Sequence, residues 1–220
     1  MLDKLPEFLK YLASRDKDTA EGIPALDQLS KELGINRASL REQVSVARAL
    51  GLVSVKPRTG TRQLPYSFLP ALRQSLGYAI LRDRSYFEKY SDLRTHIESA
   101  YFHEAVEKLT PEDIRELKEL LKEAWAKLRG TPAKIPHGEH RAIHLLMYKR
   151  LDNIFVTDIL EAYWEAYEAV DLNIFTDYTY LTEVWEYHTR IVEAIERGEF
   201  DKAHQLTLEH TKLITVRPNS

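Results

Sequence analysis

Two amphipathic segments separated by a short break constrain the first third of the chain most strongly. ALDQLSKELG carries apolar residues at helical spacing and ends at Gly34. RASLREQVSVARALG follows Asn36, whose side chain can cap a helix by accepting a backbone N–H. The second segment presents one apolar face, made of Leu40, Val44, Ala47 and Leu50. A helix, a tight turn and a second helix with one buried face predict a helix-turn-helix.

The flanking segments extend this motif into a small domain. The segment from Leu5 to about Ser14 is predicted to form a first helix. In LVSVKPRTGTRQL, apolar and polar residues alternate around a Pro/Gly turn, which predicts a two-stranded hairpin. We therefore predict a winged helix-turn-helix of three helices and a β-hairpin over residues 1–65, followed by a connecting helix or linker over 66–82.

The remainder of the chain, residues 83–216, shows only helical patterns. Thr110 with Pro111 and two early acids favours a helix N-terminus, and Gly198 marks a break between the last two helices. The predicted fold class is mainly α, with an all-α helical bundle behind the winged domain.

Charge is divided unevenly between these parts. The whole chain carries a formal charge of −3, but residues 1–75 carry a net +4 and the remainder a net −7. The absence of cysteine excludes disulfides and thiolate metal sites. The opening stretch lacks the apolar core of a signal peptide and no run approaches a membrane span, so we expect a soluble cytoplasmic protein with no membrane partner.

The start of the second amphipathic helix carries groups that can read DNA. Arginine addresses guanine bidentately, and serine can bond a base or a phosphate. A glycine at the wing tip lets flanking basic residues approach the sugar-phosphate backbone. Any single arginine could equally be a solvated surface charge, but the ensemble predicts a DNA-binding surface of Asn36, Arg37, Ser39, Arg41, Lys56, Arg58, Gly60 and Arg62.

Four of the eight histidines fall on inferred inward faces of the last helices. His140 and His144 are one turn apart and can direct two imidazoles to one metal, while His188 and His210 lie on later helices. The alternative is that each is a core histidine satisfied by one hydrogen bond. Both the paired Glu-x-x-His motif and HExxH are missing, which argues against a third alternative, an all-α metalloenzyme.

The N-terminal segment LDQLSKELGINRASLREQVSVARALGLVSVKPRTG resembles the GntR superfamily of transcription regulators, and the likeness covers most of residues 5–64. The family often has an arginine where this chain has Asp27. From about Ser85 to Leu213 the chain resembles the FadR-like branch, whose C-terminal effector domain is of the FCD class.

This second resemblance implies a metal site and an effector site. In the FCD class an Asp, a His one turn later and two further histidines bind a divalent metal beside a carboxylate effector. His144, His188 and His210 match these histidines, and His140 stands where the family has Asp. Four imidazoles favour Zn²⁺, Ni²⁺ or Cu²⁺ over harder ions, with zinc or nickel expected. Arg94 matches the arginine that meets the effector, although an ion pair with Glu98 would explain it equally.

The combined expectation is a regulator rather than an enzyme, expected to act as a repressor. It would be a homodimer on a pseudo-palindromic operator, and a small organic acid bound near the metal would alter its affinity for DNA. The competing hypothesis is a DNA-binding dimer whose body is purely structural.

Overall fold

The computed structural model describes residues 2–15, 22–56, 60–170 and 177–215. Their contacts divide into two compact units, Met1–Tyr78 and Ala79–Ser220. The boundary falls within one helix, Leu69–Arg82, which lies in the segment predicted as the connection. Each unit contains its own cluster of buried apolar side chains, as expected of parts that fold around separate cores.

In the N-terminal unit, three helices and a hairpin surround a small core. The helices are α1 (Glu7–Ser14), α2 (Leu26–Leu33) and α3 (Arg37–Ala49), and the antiparallel strands are β1 (Val53–Lys56) and β2 (Gly60–Gln63). Gly34 ends α2 in the left-handed conformation (φ 65°), where a Cβ would be strained. The predicted winged helix-turn-helix is confirmed, with a core of Phe8, Leu12, Ile23, Leu29, Leu40, Ala47 and Val53.

Across the described residues, the rest of the chain is helical. The helices are α4 (Leu69–Arg82), α5 (Ser85–Glu107), α6 (Pro111–Leu128), α7 (His137–Tyr148), α8 (Ile154–Ala169), α9 (Tyr178–Glu196) and α10 (Phe200–Thr215). Gly198 takes φ 72° and separates α9 from α10. The predicted helical bundle is therefore confirmed. None of the helices described here is both long and apolar enough to cross a bilayer.

A buried carboxylate fixes the start of α6 against the end of α7. Thr110 and Asp113 form a reciprocal capping box, with Thr110 Oγ1 accepting the Asp113 N–H. The fully buried Asp113 carboxylate also accepts from Arg150 at 2.9 and 3.1 Å and pairs with Lys149 at 2.7 Å. These cationic donors, Arg150 foremost, hold the pKa of Asp113 well below its usual range. The anchored α7 carries two of the four histidines considered below.

Candidate functional site

The N-terminal part of α3 is built to expose polar groups. Leu40 and Ala47 are fully buried, which turns Arg37 and Arg41 outward to solvent. Asn36 caps the helix as predicted, its Oδ1 accepting the Ser39 N–H at 2.9 Å. The Asn36 side-chain oxygen is therefore occupied by the helix cap, whereas the side chains of Arg37 and Arg41 are exposed to solvent.

Asp27 meets Arg37 rather than standing alone. The Arg37 Nη1 to Asp27 Oδ1 distance is 2.9 Å, and both side chains are more than half exposed. The family often has an arginine at this position, and an unpaired acid there would repel phosphate. The ion pair offsets that charge within the protein, at a site where screening keeps its contribution to stability small.

The hairpin carries the other basic residues of the predicted DNA surface. Lys56 pairs with Gly60 and Ser54 pairs with Arg62 in the strand register. Lys56, Gly60 and Arg62 are exposed. Arg58 lies outside the described residues. In the described part of the hairpin, the cationic side chains of Lys56 and Arg62 therefore lie on either side of Gly60, which has no side chain.

The four predicted histidines converge in the interior of the C-terminal bundle. Each offers one ring nitrogen to a set in which all four atoms lie within 4.8 Å of one another. His140 and His144 come from α7, His188 from α9 and His210 from α10. The closest rings are those of His188 and His210, whose centroids are 4.4 Å apart. Three helices, α7, α9 and α10, therefore bring their imidazoles to one point.

Burial keeps these imidazoles neutral. Desolvation lowers the pKa of His140, His144 and His188 well below the usual value, and lowers that of His210 to about 3. A metal ligand must be a neutral imidazole, because the protonated ring has no lone pair to donate. The four imidazoles thus have the neutral charge that coordination requires at neutral pH.

The hydrogen bonding of the cluster fits a bound cation. Both ring nitrogens of His188 and of His210 are buried without a hydrogen-bond partner among the described residues, as is Nε2 of His140 and of His144. Core histidines are normally satisfied, so orphaned nitrogens on four adjacent rings need an explanation. Imidazole nitrogens bind zinc at about 2.0–2.1 Å, which places neighbouring ligand atoms roughly 3–4 Å apart. The observed grouping requires only small side-chain shifts to reach that spacing.

Large aromatic side chains line the cluster. The Trp164 ring centroid on α8 lies 4.9 Å from those of His140 and His144, and the Trp185 centroid lies 5.2 Å from that of His188. Both tryptophans are at most 2% exposed. Glu139, next to the cluster in sequence, pairs instead with Lys127. The surroundings are therefore dry, which strengthens electrostatic interactions within them.

A buried ion pair adjoins the histidines. Arg94 and Glu98, one turn apart on α5, are each 1% exposed, and Arg94 Nε lies 2.8 Å from Glu98 Oε1. Arg94 Nη2 lies 2.8 Å from His144 Nδ1, and the guanidinium stacks over Tyr163 with its carbon 4.7 Å from the ring centroid. The structure thus contains the Glu98 ion pair that the sequence offered as one explanation of Arg94. It also places Arg94 against a candidate metal ligand.

Comparison with known proteins decides the family. Residues 90–213, more than half of the chain, match the family model described as the FCD domain. The chain belongs to the FCD-domain regulators of the GntR family. The FCD match spans α5 to α10, and therefore contains the four histidines and Arg94.

Relatives and solved structures agree with this membership. The FCD regulator is 25% identical over 198 residues to the HTH-type transcriptional regulator LutR of Bacillus subtilis (strain 168), covering 86% of this chain and 87% of LutR. It resembles the structure of a Streptococcus agalactiae GntR protein with a TM-score of 0.68 and 19% identity, over 94% of both chains. A second similar structure is Lar, described as controlling expression of the Listeria monocytogenes agr system (TM-score 0.51, 16% identity, 98% of this chain and 95% of that one).

These matches identify the FCD regulator as a transcriptional regulator rather than an enzyme. FCD domains often bind metal, and the four-histidine cluster lies within the matched region. The structure brings together all four predicted ligands and places Arg94 beside them. Sequence reasoning missed the contact of Glu98 with His144 and the position of Trp164. Neither has a local signal, because both depend on how α5 and α8 pack against α7.

Proposed function

We propose that this FCD regulator binds operator DNA through α3 and the β1–β2 hairpin, and that a small organic acid bound near a divalent metal changes its operator affinity. The ligands proposed for the metal are His140, His144, His188 and His210. The observation that carries the proposal is the set of buried ring nitrogens without hydrogen-bond partners among the described residues. Operator DNA and small-molecule effectors are the partners that GntR regulators have in general.

The chemistry of the donor set supports zinc or nickel. Four neutral imidazoles bring no negative charge and are borderline ligands, which favours late first-row ions over magnesium or calcium. A bound ion of this kind would supply a positive charge that attracts a carboxylate within the dry interior. The Arg94 guanidinium lies beside His144 and adds a fork-shaped donor that matches carboxylate geometry.

The expected assembly is a homodimer that presents two copies of α3 to half-sites of a pseudo-palindrome. Effector binding would change the affinity of the two α3 copies for the operator. We expect the protein to be a repressor that the acid releases from DNA. Such coupling is reciprocal and typically about 1–3 kcal/mol, so operator DNA must weaken acid binding by the same factor.

The DNA surface can be tested by separating base contacts from phosphate contacts. On a duplex selected from a random pool by the wild-type protein, Arg41→Ala should weaken specific binding by about 1–3 kcal/mol and leave binding to scrambled DNA nearly unchanged. Lys56→Ala should weaken binding to every sequence and reduce the salt slope by about 1. Fluorescence anisotropy titrations at several salt concentrations measure both quantities. Lys202→Ala, an exposed cation on α10, is the matched control, and equal losses of specificity in both test variants would contradict the assignment.

The effector site can be tested with a substitution that preserves charge. Arg94→Lys keeps the cation but loses the planar fork, so the zinc-loaded variant should bind the acid that best stabilises wild type roughly tenfold more weakly. A panel of small carboxylic acids in a thermal-shift assay identifies that acid, and calorimetry measures its affinity. Arg141→Lys on α7, whose guanidinium pairs with Glu161 and Glu168, controls for loss of a partly buried ion pair. Unchanged acid affinity in Arg94→Lys would leave Arg94 as the structural partner of Glu98.

A further inference from the structure

The contact between Arg94 and His144 has a consequence for the proton on the His144 ring. An arginine N–H can only donate, so the 2.8 Å approach of Arg94 Nη2 to His144 Nδ1 makes Nδ1 the acceptor. The ring is neutral in this buried setting, and its single proton must then be on Nε2. A nitrogen that carries a proton cannot coordinate a metal.

Coordination through Nε2 requires the other tautomer. When Nε2 gives its lone pair to a cation, the proton of the neutral ring is on Nδ1, which becomes a donor and needs an acceptor. Glu98 Oε1 lies 3.3 Å from His144 Nδ1 and is buried with it. Its carboxylate is the acceptor within reach, because Arg94, the other polar group in contact with Nδ1, carries no lone pair.

We propose that Glu98 is the positioning residue of the metal site, and that metal loading replaces the Arg94–His144 contact with a hydrogen bond from His144 Nδ1–H to Glu98. The ring stays neutral, losing one proton at Nε2 and gaining one at Nδ1. Arg94 keeps its Nε ion pair with Glu98 and its place over the Tyr163 ring, while its Nη2 group is released. The released group is the one that can meet a carboxylate, so metal binding prepares the acid site. This inference rests on the metal site proposed above.

The exchange explains why a buried acid adjoins a cluster whose ligand set, among the residues that the structure describes, consists of histidines alone. Without Arg94, the Glu98 charge would be buried unpaired, and without Glu98 the metal-bound form of His144 would have an unsatisfied donor. One carboxylate can serve both partners because its Oε1 lies 2.8 Å from Arg94 Nε and 3.3 Å from His144 Nδ1. The same geometry makes Glu98 a sensitive place at which to perturb metal affinity without removing a ligand.

The test compares two variants that differ in their ability to accept a hydrogen bond. Glu98→Gln retains a carbonyl acceptor without charge, whereas Glu98→Met fills similar space with no strong acceptor. Removing the acceptor in Glu98→Met should weaken zinc binding about 10–100-fold, and Glu98→Gln should show a smaller loss. Zinc affinity is measured by competition with a chromogenic chelator. Glu139→Gln is the matched control and should keep the wild-type zinc affinity. Glu139 is also a buried, ion-paired acid, but its partner is Lys127 on α6 and not a histidine of the cluster.

A spectroscopic readout separates this role from simple structural support. Nitrogen-15 NMR of labelled histidine should show His144 protonated at Nε2 in the zinc-free protein and at Nδ1 in the zinc-loaded protein. Glu98→Met leaves the Arg94 charge unpaired and could prevent folding for that reason alone. The double variant Arg94→Met/Glu98→Met removes both buried charges, and zinc affinity is measured on it as well. The same tautomer with and without zinc, or wild-type zinc affinity in both Glu98 variants, would overturn the proposal. Failure of wild type to bind zinc at all would instead overturn the metal site itself, and this role with it.

Discussion

His188→Leu should weaken zinc binding roughly 100–1000-fold while leaving the metal-free protein folded. His188 is fully buried, and both of its ring nitrogens lack a hydrogen-bond partner among the described residues. Leucine is similar in size but cannot coordinate, so the variant removes one of four ligands with little change in packing. Structural zinc sites contribute about 10–16 kcal/mol over four ligands, or about 2.5–4 kcal/mol for each, so loss of one ligand should weaken binding roughly 100–1000-fold.

In the absence of metal, the same substitution should leave the stability of the protein unchanged or raise it. Leucine removes two unsatisfied polar atoms from the core, so the chelator-treated variant should be as stable as wild type or more stable at neutral pH. Competition with a chromogenic chelator gives the zinc affinity, and thermal unfolding with and without zinc gives the stabilisation. His204→Leu is the control, because His204 lies on α10 with His210 but bonds Ser99 outside the cluster. Equal zinc affinity in both variants would show that the cluster holds no metal.

Local sequence rules were sufficient for the helix boundaries near the DNA surface. Asn36 and Gly34 act through their own backbone neighbours, so their roles as cap and terminator depend on a few adjacent residues. The Thr110–Asp113 capping box is predictable for the same reason. Such features follow from hydrogen bonds closed within one turn, and the sequence therefore contains all the information that they need.

The site was only partly predictable. The four-residue spacing of His140 and His144 places both on one face of α7. Their meeting with His188 and His210 was inferred from the inward faces of later helices and from resemblance to the FCD class. The approach of Arg94 to His144 joins residues 50 positions apart and depends on the packing of α5 against α7. The ion pair of Asp27 with Arg37 likewise depends on how α2 meets α3. Sequence periodicity gives the face of each helix but not the rotation and distance between helices.

The free energy of unfolding of the metal-free bundle should fall steeply once the pH drops below about 6.5. In the unfolded chain a histidine takes up a proton near that value, whereas burial lowers the pKa of His144, His188 and His210 in the folded state, to about 3 for His210. Protonation therefore favours the unfolded chain. Each such group removes about 1.4 kcal/mol per pH unit below 6.5, until the folded pKa is reached. These three histidines together give roughly 4 kcal/mol per pH unit, and His140, whose pKa burial also lowers, adds to that slope.

The size and origin of this effect can be measured on the bundle alone. All three tryptophans, Trp125, Trp164 and Trp185, lie in the C-terminal unit, so their fluorescence during urea unfolding reports the unit that contains the cluster. Titrations with chelator between pH 7.5 and 5 should give a slope that decreases by about 1.4 kcal/mol per pH unit in His188→Leu. His96→Gln, which alters an exposed histidine of α5, should keep the wild-type slope. If His188→Leu also kept it, His188 would not be a buried neutral group, and the physical basis for a four-imidazole site would be lost.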